Sequence, residues 1–138
     1  MSYCMAQRGW SGRAPENTMA AIKLALAEPG IQAIEVDVQL SKDEIPVLIH
    51  DFTLERTTNG SGLVKDHTFE QLRQWSAGGW FAEEFSDETI PALEELFQAV
   101  SQHTCRLNVE LKTAGNLYPR LAEKVVELVE AYELHSQV

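Results

Sequence analysis

Apolar and polar positions alternate most cleanly between Ile31 and Leu40. Ile34, Val36, Val38 and Leu40 fall on one face, and Glu35, Asp37 and Gln39 on the other. This period of two predicts a strand with a hydrophobic face and a carboxylate face. Ser41-Lys42-Asp43-Glu44 predicts a turn, and Ile45 to His50 a returning strand. Centring that turn between Lys42 and Asp43 pairs His50 directly across from Glu35, which sets the imidazole beside the two acids. Residues 2–7 predict a short strand running into Gln7-Arg8-Gly9, and Cys105 to Lys112 predicts another. In the latter, Leu107, Val109 and Leu111 face one way and Asn108, Glu110 and Lys112 the other.

Helical spacing appears in three segments. Met19, Ala20, Ile22, Ala25 and Leu26 predict a helix over Asn17 to Glu28, stopped by Pro29-Gly30. Leu93, Leu96, Phe97 and Val100 predict one from Pro91 to Gln102, and a last helix is expected from Leu117 to Glu133. Residues 52–90 are long, polar and irregular, with a short helix expected near Thr68 to Trp75; stretches of this kind are usually functional loops.

The order is strand, helix, strand hairpin, helices, strand, helix, which implies parallel strands crossed over by helices. In a parallel barrel the inner face at the strands' C-terminal ends carries the active site, and the polar stripes point there. A closed barrel takes eight strands and typically about 250 residues. The 138 residues supply three barrel strands and the hairpin return. The expectation is an α/β chain of TIM-barrel type with only the N-terminal part of the barrel present. It reads as a single domain over 1–138 with a loop insertion at about 52–90. An unpaired strand edge would invite self-association into a homo-oligomer.

Composition narrows the function. A formal charge of −10 argues against a nucleic-acid or anionic-membrane surface, so an anionic ligand would need local cations or a bound metal. No apolar run approaches the roughly 20 residues of a membrane span. The N-terminal residues lack the pattern of a secretory signal, so a cytoplasmic protein is expected. Cys4 and Cys105 read as small buried residues rather than a disulfide framework.

Glu35, Asp37 and Glu110 present carboxylate oxygens, which suit a hard cation such as Mg2+ or Ca2+. Either strand alone is equally what an acidic chain places on a solvated surface; two inward acidic stripes favour a metal site. His50, with Asp51 to orient it, suits a general acid or base, although a lone strand-end histidine is more often structural. Arg8 and Lys112 stand at strand ends where they could hold a phosphate, or pair with the same carboxylates. Trp10, Trp75, Trp80 and Phe81 fit either a pocket lining or the core.

Several motifs then occur in order. They are Gln7-Arg8-Gly9, Pro15-Glu16-Asn17-Thr18, Glu35-x-Asp37-Val38-x-Leu40-Ser41-Lys42-Asp43, Pro46-Val47-Leu48-Ile49-His50-Asp51, Arg56-Thr57-Thr58-Asn59-Gly60-x-Gly62, Ile90-Pro91-x-Leu93-Glu94, and Asn108-x-Glu110-x-Lys112. Over about residues 6–112 this pattern closely resembles the glycerophosphodiester phosphodiesterase family. The resemblance implies hydrolysis of small-molecule glycerophosphodiesters to glycerol 3-phosphate and an alcohol. It implies a divalent cation, Mg2+ or Ca2+, on Glu35, Asp37 and Glu110, phosphate contacts from Arg8 and Lys112, and catalysis by His50. The family opens its first motif with a second catalytic histidine where Gln7 stands here, and usually has glycine where Glu44 stands. An amide cannot exchange a proton near pH 7, so the resemblance also leaves room for a catalytically inactive metal- and phosphate-binding homologue.

Overall fold

A computed structural model describes residues 3–138. The strands are β1 (Met5–Gln7), β2 (Ala33–Leu40), β3 (Pro46–Leu48) and β4 (Arg106–Leu111). The helices are α1 (Met19–Ala27), α2 (Phe69–Leu72), α3 (Leu93–Val100) and α4 (Leu121–Ala131), with short 3-10 turns at Val64–Asp66 and Glu83–Phe85. The strand expected over residues 2–7 is shorter than that, and its first residue, Ser2, lies outside the described residues.

All four strands form one sheet around β2. Strand β1 pairs with it in parallel, setting Gln7 opposite Glu35, and β4 pairs in parallel along its length, setting Asp37 opposite Glu110. The Val38 carbonyl accepts from the Lys112 N–H, and the Asp37 carbonyl accepts from the Ile49 N–H. Successive carbonyls of a strand point to opposite edges. Antiparallel β3 therefore continues the edge that β1 begins, and β4 occupies the other.

The hairpin corrects the expected register by one residue. Ser41 N–H bonds the Ile45 carbonyl, Leu40 faces Pro46 and Val38 faces Leu48. The loop is thus Lys42-Asp43-Glu44, centred on Asp43, with Glu44 in the left-handed region at φ 63°. Three-residue hairpin loops place such a residue last. The extra residue brings Ile49, not Leu48, against Asp37, and His50 is not paired across from Glu35.

Strand β2 is buried on both faces. Ile34, Val36, Val38 and Leu40 pack against Ile22 and Ala25 of α1, Leu93, Leu96, Phe97 and Val100 of α3, and Leu121 and Val125 of α4. Each of these larger side chains contributes about 1.5–3 kcal/mol by leaving water. Helix α1 begins where Thr18 caps it, its hydroxyl accepting from the Ala21 N–H. Helix α4 begins four residues later than expected, because Pro119 biases Tyr118 away from helical geometry and the segment before it stays a loop.

The 52–90 segment is irregular but not loose. Leu54, Val64, Leu72, Ala77 and Ile90 join Val47 and Ile49 of the hairpin in a second apolar core. Trp75 packs against it, and a Cβ on Gly60 would lie 2.4 Å from the Trp75 ring, so only glycine admits that approach. Trp80 is exposed, whereas Trp10 lies half-buried against the main core. The cysteine expectation is also corrected: Cys4 is exposed and Cys105 half-buried, because each flanks a strand instead of lying within one. Both are free thiols.

Candidate active site

The chain leaves β1 through two successive left-handed residues, Arg8 at φ 57° and Gly9 at φ 74°. A Cβ on Gly9 would sit 2.8 Å from the Ala21 backbone, so this tight exit requires glycine. Left-handed geometry at a non-glycine residue such as Arg8 is uncommon and clusters at functional sites. It turns the Arg8 N–H onto Glu35 Oε2 at 3.1 Å and sets Arg8 Nε 3.4 Å from Asp37 Oδ2.

Glu35 and Asp37 project from the polar face of β2, and Glu110 joins them because β4 pairs in register. One carboxylate oxygen from each lies within 4.8 Å of the others, with Glu35 and Asp37 buried and Glu110 exposed. Lys112 Nζ stands 3.6 Å from Asp37 Oδ1 and 3.5 Å from Glu110 Oε1. Asn17 grips Asp37 twice, through Nδ2 to Oδ2 at 3.0 Å and by accepting the Asp37 N–H at 3.3 Å.

Crowding among the three acids alters the titration of Glu35 and Asp37. Burial, then the charge of Asp37, pushes Glu35 up to about 7. Burial also acts to raise Asp37, but the neighbouring Glu110 carboxyl, the Asn17 amide, the Glu35 carboxyl and the charge of Lys112 outweigh it and hold Asp37 below its ordinary value. Glu35 Oε1 and Asp37 Oδ1 are buried without a hydrogen-bond partner among the described residues. A buried carboxylate oxygen left so is costly, and an oxygen-seeking divalent cation is the partner that suits it. The donor set fits such an ion.

His50 belongs to a second constellation. Its Nδ1 lies 2.9 Å from Asp51 Oδ1. Arg56 donates two hydrogen bonds to Asp51, at 2.9 and 3.0 Å, and two to Glu16, at 2.9 and 3.0 Å. Glu16 in turn accepts from Arg8 Nη1 at 3.3 Å. The imidazole is therefore linked to the acidic cluster through Asp51, Arg56, Glu16 and Arg8, not by the cross-strand pairing the sequence suggests. The Arg56 hydrogen bonds, opposed by burial and aided by His50, hold the Asp51 carboxyl down at about 2. Glu16, Asn17 and Arg56 have no role in the sequence reading; their nearness in motifs was visible, their contacts were not. Gln7 shares the face of Glu35 and is exposed.

Comparison with known proteins follows the same lines. The profile of the glycerophosphoryl diester phosphodiesterase family matches residues 8–133. A glycerophosphodiester phosphodiesterase of Caldanaerobacter subterraneus subsp. tengcongensis is 44% identical over 97% of this chain and 55% of its own length. One of Bacillus altitudinis is 45% identical over 100% of this chain and 56% of its own. The chain thus spans about half the length of the curated relatives it matches.

Among solved structures, a glycerophosphodiester phosphodiesterase from Agrobacterium tumefaciens superposes with a TM-score of 0.88 at 34% identity, covering 99% of this chain and 56% of that one. A phosphodiesterase from Oleispira antarctica in complex with the product sn-glycerol-3-phosphate gives 0.89 at 42% identity, covering 96% and 53%. The fold is that of a TIM-barrel enzyme, represented here in part.

Proposed function

Since the chain belongs to the glycerophosphoryl diester phosphodiesterase family, we propose that its site hydrolyses glycerophosphodiesters to glycerol 3-phosphate and an alcohol. Glu35, Asp37 and Glu110 would hold a divalent cation, Mg2+ or Ca2+, whose chemistry is to offset negative charge on the phosphoryl oxygens. All other roles fall to the chain's own groups.

Arg8 and Lys112 bind the phosphate. Both already stand against Asp37, so an arriving anion meets cations that need only turn. Asp51 occupies Nδ1 of His50, which leaves Nε2 to exchange a proton with the attacking or leaving oxygen. Gln7 offers an amide N–H to an oxygen but cannot serve as an acid or base near neutral pH. With one acid–base group where the family motif has two, turnover falls by about 10²–10⁴.

The observation that carries this reading is the convergence of three carboxylates and two cations on one sheet face, with buried carboxylate oxygens left unsatisfied. The product held by the Oleispira antarctica relative supports the same substrate class. The test is to incubate the chain and its Gln7→His variant with glycerophosphocholine and Mg2+ or Ca2+, and to assay glycerol 3-phosphate. Release that is slow in the chain and faster in Gln7→His is expected. No release from either overturns the reading.

Gln7 specifically favours a second reading: a catalytically inactive relative that retains metal and phosphate binding. Cation binding by calorimetry, with no turnover in either protein, is its signature.

A further inference from the structure

We propose that Gln39 and Tyr118 form a buried positioning pair that fixes the backbone carrying His50; the inference rests on the reading of His50 as the proton-transfer group. Gln39 lies on the face of β2 that bears Glu35 and Asp37, and it is fully buried. Its Nε2 donates toward three successive carbonyls, those of Ile49 at 3.1 Å, His50 at 3.2 Å and Asp51 at 2.6 Å. Its Oε1 accepts from the Tyr118 hydroxyl at 2.7 Å.

This arrangement fixes the amide's orientation. Carbonyl oxygens cannot donate, so only the nitrogen can face residues 49–51, and only the oxygen can take the phenolic proton. An NH2 group has two hydrogens for three acceptors, so the backbone curls around it. That curl begins where the sheet ends. Strand β3 stops at Leu48, and the Ile49 N–H to the Asp37 carbonyl is the last ladder contact. From there Gln39 takes over the main chain of the histidine and of its partner Asp51.

Packing alone does not account for this choice. A fully buried amide is costly unless every group is satisfied, and an apolar residue would fill a core position with less penalty. Tyr118 completes the satisfaction from a separate element, the loop between β4 and α4 whose first residue is Lys112. Burial pushes its phenol up to about 12, so the donor persists through the neutral range. The pair therefore ties the wall that carries Lys112 to the wall that carries His50, through the strand that carries the acids.

The test is the imidazole nitrogen spectrum of His50 by 15N NMR in the unaltered chain, in Tyr118→Phe and in Gln39→Glu, with His50→Asn for assignment. The unaltered chain is expected to show one tautomer, with the proton on Nδ1 toward Asp51. Tyr118→Phe is expected to average the two tautomers at His50 while His67, His103 and His135 are unmoved. Gln39→Glu is expected to do so more strongly; if it does not fold, Tyr118→Phe decides alone. An unchanged His50 spectrum in folded Tyr118→Phe overturns the proposal and leaves the pair a packing element.

This readout is independent of turnover, so it separates the pair's role from the hydrolysis reading. If Gln7→His does turn over substrate, adding Tyr118→Phe is expected to lower kcat on the order of 10–10²-fold with KM unchanged. A change in KM with kcat unchanged would overturn the positioning role.

Discussion

Asn17 and Asp37 are joined by two hydrogen bonds, one from the Asn17 amide to the Asp37 carboxylate and one from the Asp37 backbone to the Asn17 carbonyl oxygen. Asn17 holds this geometry at φ 55°, in the left-handed region that asparagine tolerates better than most residues. Asn17→Ala is expected to cost about 2–3 kcal/mol by denaturant unfolding, since both bonds go and the backbone is strained. Asn17→Gly keeps the backbone relaxed and isolates the side chain. Both are expected to weaken Mg2+ or Ca2+ affinity about 10–100-fold by calorimetry, because Asp37 loses its support.

Glu35 makes cation binding depend on pH. Its folded-state value, about 7, lies above the ordinary 4.5, so the fold binds this proton more tightly than the unfolded chain does. Metal-free stability is therefore expected to fall as pH rises from about 4.5 through about 7. A cation must displace the proton, so the rise in Tm on adding Mg2+ or Ca2+ is expected to be larger at pH 8 than at pH 6, and a chelator should abolish it. An equal rise at both values would contradict a protonated Glu35.

Arg56 is about half exposed, so Arg56→Gln is expected to cost less than about 1 kcal/mol in stability. Its local effect is larger. Asp51, held at about 2 chiefly by Arg56, is expected to titrate nearer the ordinary 3.8 in a 13C carboxylate titration. A depressed carboxyl stabilises the fold above the unfolded value, and that contribution is lost as pH falls through the folded one. The variant should therefore shed it at a higher pH.

Glu44 stands at φ 63°, a conformation that costs an L side chain about 1–2 kcal/mol and glycine almost nothing. Its ion pair with Arg120, at 3.0 Å, is on the surface and offsets little of this. Glu44→Gly is expected to stabilise the fold by about 1 kcal/mol in thermal unfolding, with the hairpin register unchanged.

Much of the architecture was legible in the sequence because β2 and β4 alternate strictly and α3 repeats its apolar residues at helical spacing. The common face of Glu35 and Asp37 followed from that alternation, whereas bringing Glu110 to it also took the parallel register of β4 against β2. The hairpin register did not, because the five residues from Ser41 to Ile45 fit either a two- or a three-residue loop. Glycine at position 44 would have marked the longer one, and glutamate conceals it. Local periodicity also says nothing of which distant side chains meet. Glu16 and Arg56 are forty positions apart, and Gln39 and Tyr118 are farther; their contacts arise from how loops fold over the sheet.

The second apolar core, around Leu54, Val64, Leu72 and Ile90, divides the molecule's resistance to heat. Arg56 lies in the segment that this smaller nucleus holds, whereas Glu35, Asp37 and Glu110 ride on the central sheet. Partial melting confined to residues 52–90 would release Arg56, and with it the link between Glu16 and Asp51, while the acidic cradle survived, so capture of an ion and turnover would fail at separate temperatures.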